Sequence, residues 1–185
     1  FQTLNQRFEE IREGVNSQIT SSVGMINSYA TQIAELNTRV VIASASSSGQ
    51  PPNDLLDQRD YLIAELNKEI NVSVVKQVDG AYNISIGKGQ ALVVGQQAYA
   101  LTARPSLDDP FRTDVAYEAG GGALYFLQRD SLNSGNLGGL LAFRADSLDR
   151  AQNELGRVAI GLAQTFNDQH RLGQDLNGAP GGALF

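Results

Sequence analysis

Apolar residues recur every three or four positions at Leu4, Phe8, Ile11, Val15, Ile19, Val23, Ile26, Ala30, Ile33, Leu36 and Val40. The spacing predicts one long amphipathic helix over residues 4–42. Several of these positions repeat at eleven (Leu4/Val15/Ile26), which keeps the stripe nearly parallel to the axis, unlike a tight left-handed coiled coil. At 1.5 Å per residue such a helix is about 60 Å long. Gly14 and Gly24 each cost it up to about 1 kcal/mol, so packing must hold it.

The small, polar stretch 43–50 ends this pattern, and Pro51-Pro52 stops any continuation. Asn53 or Asp54 then offers a cap for a second helix, with Leu55, Leu56, Leu62, Ile63, Leu66 and Ile70 as its apolar face. Asp54 and Asp57 fall where the positive end of the helix dipole favours them. A short connection makes the two helices antiparallel neighbours.

From Val72 the period changes to two. Val72 to Val78 and the run Tyr82-Asn83-Ile84-Ser85-Ile86 flank Asp79-Gly80, the pattern of a type I′ hairpin. Further short strands fit 91–94, 98–103, 113–118 and 123–128, the last two separated by Gly120-Gly121-Gly122. Five or six strands in about 60 residues are close to the lower limit of independent stability, so helices must supply part of the core.

Helical spacing returns from about Asn136 to Leu172, through Leu137, Leu140, Leu141, Leu148, Leu155, Val158, Leu162 and Phe166, with Gly138-Gly139 able to kink or delay its start. The fold class is therefore α+β: a long-helix bundle with an inserted small antiparallel β domain. Residues 1–71 and 131–172 form the discontinuous helical rod, residues 72–130 the β domain, and 173–185 a loop. The expected bundle core pairs Leu55, Leu56, Leu62 and Leu66 with Leu155, Leu162 and Phe166.

Composition narrows the function. Among 185 residues, 14 basic against 20 acidic side chains leave a net charge of -6, which argues against nucleic acid and against an anionic membrane surface. No apolar run reaches the length of a membrane span. The absence of cysteine removes disulfides, thiolate metal sites and Cys nucleophiles. A single histidine, His170, leaves no multi-His metal centre. The chain opens at Phe1 inside a helical pattern and reads as an internal fragment.

Candidate chemistry is thin. Gly87-Lys88-Gly89 lacks the phosphate-loop pattern and leads into a strand, so it reads as a turn. Asp175-Leu176-Asn177-Gly178 resembles the start of a calcium loop, but no Glu follows, and an Asx turn fits better. Asp54, Asp57, Asp60 and Glu65 read as capping and solvated carboxylates, with Arg59 in weak surface pairs to its neighbouring aspartates. His170 lies near Asp168 at a helix end without a nucleophile elbow, and a capping role suits it. The sequons at Asn71 and Asn83 fall in predicted strands and read as chance matches. No catalytic, cofactor-binding or metal site emerges, and no cofactor is expected.

Three blocks carry a resemblance. Pro52-Asn53-Asp54-Leu55-Leu56-Asp57-Gln58-Arg59-Asp60 with Asn71-Val72-Ser73-Val74-Val75 is the first. Leu137-Gly138-Gly139-Leu140-Leu141-Ala142-Phe143-Arg144 with Asn153-Glu154-Leu155-Gly156-Arg157 is the second. Phe166-Asn167-Asp168-Gln169-His170 with Gly173-Gln174-Asp175-Leu176-Asn177-Gly178 is the third. Together, and in this order, they resemble the first hook-associated proteins of the bacterial flagellum, the family that joins hook to filament. Arg150 departs from the proline-containing turn that many relatives would carry there.

The resemblance implies an extracellular structural protein, not an enzyme, that forms a ring in its full-length form. Its neighbours would be the hook protein and a second junction protein, with an export chaperone engaging a terminus outside this chain. It also implies a β domain pointing outward from the rod and a chain that is monomeric alone. Two other readings stay open: a flagellin-type filament subunit, and a β module on a helical stalk that grips a surface ligand.

Overall fold

A computed structural model describes residues 1–46, 52–119 and 122–185. The first helix, α1 (Gln2–Ser46), is the spine. Val15, Ile19, Val23, Ile26, Ala30, Ile33, Leu36 and Val40 are buried as the stripe predicts, whereas Leu4 and Ile11 at its start are exposed. The end of the linker, 47–51, and Gly120-Gly121 lie outside the described residues, so the expected loops there are set aside.

Helix α2 (Asn53–Glu69) packs along α1. Its start differs from expectation: Pro52 occupies the N-cap position, and no side-chain cap is formed among the described residues. The Pro52 carbonyl instead accepts from the Leu55 and Leu56 amides. Asn53 is thus already helical, one residue too late to cap.

Seven strands follow among the described residues, in two antiparallel sheets. The first sheet runs β1 (Val72–Lys76), β2 (Tyr82–Ile86), β3 (Gln90–Val94) and β4 (Gln97–Ala98) in sequence order, and the second runs β5 (Ala100–Pro105), β6 (Thr113–Ala119) and β7 (Ala123–Phe126). The single strand expected over 98–103 is cut at Tyr99, whose amide still donates to Leu92 while Ala100 opens the next sheet against Glu118.

The β1–β2 turn also departs from expectation. Gln77 donates to the Ala81 carbonyl and accepts from the Gly80 amide, which leaves a three-residue loop. Within this loop only Gly80 is at positive φ (+88°). This is the geometry of a loop closed by one left-handed residue, not of a type I′ turn with two. Gly87-Lys88-Gly89 forms a tight turn, with the Gly89 amide donating to Ile86.

The strands do not form a separate outlying domain. One core joins Ile19, Ile26 and Ile33 of α1 and Leu66 of α2 to Ile84, Leu92, Val93, Leu101 and Val115 of both sheets, and to Leu137 of the next helix. The β unit lies along α1 and does not project from its end, because neither small sheet has enough apolar area of its own to stand without the helix.

Three asparagines of α1 make that attachment directional. Asn16 donates to the Phe111 carbonyl and accepts from the Thr113 amide. Asn27 does the same with Leu101, and Asn37 with Tyr82. Spacings of 11 and 10 residues return each to nearly the same side after three turns. A carboxamide carries both a donor and an acceptor, so it can stand in for a neighbouring strand.

A 3-10 turn at Arg129–Ser131 leads to α3 (Gly135–Phe143), a π turn at Arg144–Leu148, and α4 (Asp149–Arg171). The expected single helix is thus divided at Arg144. Gly138 neither kinks nor delays α3. A Cβ there would lie 2.6 Å from the Asn133 backbone, so glycine permits close approach to the incoming chain.

Candidate assembly surface

The apolar stripe of α4 sits in solvent. Val158 is 53% exposed, Leu162 42% and Phe166 56%, and Leu155 is half-buried. No α4 residue is buried among those described. Leu66 is buried, while Leu55, Leu56 and Leu62 are half-buried on the α2 side of the molecule. The structure therefore does not bring together the two halves of the expected bundle core. The reason is geometric: the chain between α3 and α4 aims α4 away from α2, whose apolar side is taken by α1 and α3.

The stripe is an apolar face of an amphipathic helix that the described residues leave largely uncovered. The last residues fold back on its end. Asn167 accepts from the Leu184 and Phe185 amides, its Nδ2 donates to the Phe185 carbonyl, and the two rings of Phe166 and Phe185 meet edge to face at 6.3 Å. His170 Nδ1 is 2.7 Å from the Gly182 carbonyl of the tail, a contact with the folded-back chain in place of the expected helix cap. Asp175 accepts from the Asn177 and Ala179 amides, the expected Asx turn. Those backbone donors, Ala179 first, hold its carboxyl below the ordinary aspartate value.

Where α4 leaves the body, charges converge. Arg144 is 3% exposed. Its guanidinium donates to the Thr113 carbonyl and, at 2.9 Å, to Asp114 Oδ1. Arg112 lies 3.2 Å from Asp114 and 4.0 Å from Asp149, and Arg12 bonds Gln152 and lies 3.9 Å from Asp109. Burial pushes the Asp114 carboxyl up, but the Ser106 hydroxyl and the Arg112 and Arg144 cations outweigh it and hold the group below its ordinary value. Burial lowers the Arg144 value.

Arg59 is the residue that the sequence reading misplaced. It is not in surface pairs with Asp57 and Asp60, which are exposed. It is fully buried, donating at 2.9 Å each to Asn37 Oδ1 and the Gly80 carbonyl, and lies 3.5 Å over the Tyr82 ring centroid. Asn37 meanwhile also donates to the Gly95 carbonyl. The arginine thus ties α2 to α1 and to the β1–β2 loop, which a local run of charges could not reveal.

The described carboxylates of this region are solvated or already engaged. Asp54 is exposed like Asp57 and Asp60, and Glu65 pairs with Lys68 at 2.5 Å. The buried Glu69 accepts from Ser22 at 2.6 Å and from Asn136 at 2.9 Å, so both of its oxygens are engaged. No group of three or more metal-ligating side chains occurs among the described residues, and no described helix is long and apolar enough to cross a membrane.

A long helical spine bearing two small sheets is matched as a whole, over residues 1–185, by the family described as the flagellar hook-associated protein FlgK helical domain. The chain belongs to this family. It is 43% identical over its whole length to flagellar hook-associated protein 1 of Escherichia coli (strain K12), covering 34% of that protein. It is 44% identical, again over its whole length and 34% of the relative, to the protein of the same name from Salmonella typhimurium. The solved structure of the flagellar hook junction protein FlgK from Burkholderia pseudomallei superposes with a TM-score of 0.88 at 43% identity, over 98% of this chain and 33% of that one. The chain thus spans about a third of the length of the FlgK relatives it matches.

Proposed function

We propose that this chain is the helical part of a structural protein standing at the junction between the flagellar hook and filament. The observation that carries the reading is the whole-chain match to the FlgK helical domain together with the close superposition on a hook junction protein. The described residues add a physical argument. A junction has to transmit torque and bending between two tubes, and a helix of 45 residues fastened along its length to two sheets suits that load. The exposed α4 stripe supplies apolar area for a neighbour in the assembly.

In this reading the full-length protein assembles into a ring, contacts the hook protein on one side and a second junction protein on the other, and is escorted by an export chaperone. It is extracellular and has no enzymatic role. Absence of cysteine is consistent with export of an unfolded chain, in which disulfides would be a hazard. Gold-conjugated antibody raised against this chain, applied to intact source cells, tests the proposal. A single label at the base of each filament is the expected result. Label along the whole filament would reassign the chain to a flagellin-type subunit, and label off the appendages would overturn the flagellar reading.

A further inference from the structure

We propose that the π turn Arg144–Leu148 is a joint that sets the direction of α4, and that the buried Arg144 holds it in its present setting by gripping β6. The turn is closed by the Asp149 amide donating to the Arg144 carbonyl, five residues back, while the Arg144 amide is shared between the Leu140 and Leu141 carbonyls. Such a wide turn inserts one residue into an otherwise α-helical path, and π turns inside helices recur at functional positions and at kinks.

Three observations make this a joint and not a local irregularity. First, α4 is amphipathic yet has no buried residue among those described, and its contacts with the rest of the chain are concentrated at its root, through Arg12 and Arg112, and at its far end, through the tail. Its direction therefore depends on that turn more than on contacts along its length. Second, the grip on the turn is made from another element: Arg144 bonds Thr113 and Asp114 at the start of β6. Third, the grip is incomplete, because Arg144 Nε is buried without an acceptor among the described residues. A buried donor left unpaired costs free energy, so this setting is held against a penalty and not by a fully satisfied network.

The alternative setting follows from helix geometry. Converting the wide turn to α-helix removes one residue from the turn, which rotates everything downstream by about 100° and shifts it by about 1.5 Å. The face carrying Leu155, Val158, Leu162 and Phe166 would then point a quarter-turn or so away. The remaining tethers near the joint, Arg112 to Asp149 and Arg12 to Gln152, both start from the body and reach only the first turn of α4. They bias the setting without fixing the far end.

The consequence rests on the reading of the α4 stripe as an assembly surface, but its test does not. The chain has no cysteine, so spin labels at Ser17→Cys on α1 and Gln164→Cys on α4 report their separation by pulsed dipolar spectroscopy in the full 185-residue chain. A second pair, Ser17→Cys and Lys76→Cys, spans the body as a control. The native chain is expected to give one narrow α1–α4 distribution. Arg144→Gln and Asp114→Asn should broaden it, with the control pair unmoved in both. Should Arg144→Gln fail to fold, Asp114→Asn decides alone. An unchanged α1–α4 distribution in Asp114→Asn overturns the proposal, as does equal broadening of the control pair. Labelling of cells reports the assembly role separately, so a rigid joint and a wrong assembly surface give different failures.

Discussion

Asn27 of α1 and Leu101 of β5 hold each other through two hydrogen bonds of 2.8 Å, the side-chain amide donating to the Leu101 carbonyl and its oxygen accepting from the Leu101 amide. The helix thereby completes the ladder of a strand edge that would otherwise need another strand. Asn27→Ala removes both partners from a part-buried backbone pair, and an unmet buried amide or carbonyl costs about 1–3 kcal/mol. The expected loss is in that range, read as a lower urea midpoint with unchanged slope. A midpoint within error of the native chain would show that water replaces the side chain without penalty.

Arg59 tests the centre of the molecule in the same way. Replacing it with Ala strips the Gly80 carbonyl and Asn37 of a donor, uncovers the Tyr82 ring and leaves a cavity. Large-to-small changes with lost bonds of this kind cost about 2–4 kcal/mol. Arg59→Lys should recover little, because both bonds come from Nη1 at the tip of a planar group that lies over the Tyr82 ring, and a compact ammonium does not stack in that way. Thermal melts followed by circular dichroism on the two variants distinguish this from a simple charge effect, for which Lys would restore stability.

The long helices were legible because their cause is local: periodicity in Leu4–Val40 and in Leu155–Phe166 is written residue by residue. The α1 face was right where it meets strands and not at Leu4 and Ile11, which have nothing to cover them in this chain. Partnership was not legible. The α4 stripe is a true amphipathic face, but sequence pattern states that a face is apolar and not which element covers it. Arg59 looked like a surface cation among aspartates because its partners, Asn37, Gly80 and Tyr82, lie at least 21 residues away in the chain. The asparagines at 16, 27 and 37 carried a readable signal, polar residues at helical spacing beside an apolar stripe, that only the strand edges gave meaning.

That difference between face and partner gives a paired prediction. Leu66 is fully buried between helices, and Leu66→Ala should cost about 2–5 kcal/mol. Leu162→Ala on the exposed stripe should change the stability of this chain by no more than about 0.5 kcal/mol. Chemical denaturation of both variants checks the ranking. Equal losses would mean that α4 packs against the body in solution.

Acidification should loosen the joint before it unfolds the helices. The Asp114 carboxyl is held below its ordinary value of 3.8, so its folded form binds a proton less readily than the unfolded chain does. A group of that sign contributes stability that is fully present above the unfolded value and is lost as pH falls through the depressed folded one. Protonation removes the charge that Arg144 and Arg112 face, and Arg144 then stays buried with a weaker partner, which is the costly half of a broken buried pair. Asp175 has the same sign of shift, but it sits in the exposed tail and acts on the end of α4, not on its root. The two are separable by substitution. Asp114→Asn should lower the melting temperature at neutral pH and flatten its decline below pH 4, while Asp175→Asn should leave that decline nearly intact. Melting temperatures measured from pH 7 to pH 2 on the three chains decide it: if the native and Asp114→Asn curves stay parallel throughout, the Asp114–Arg144 contact contributes nothing to acid sensitivity.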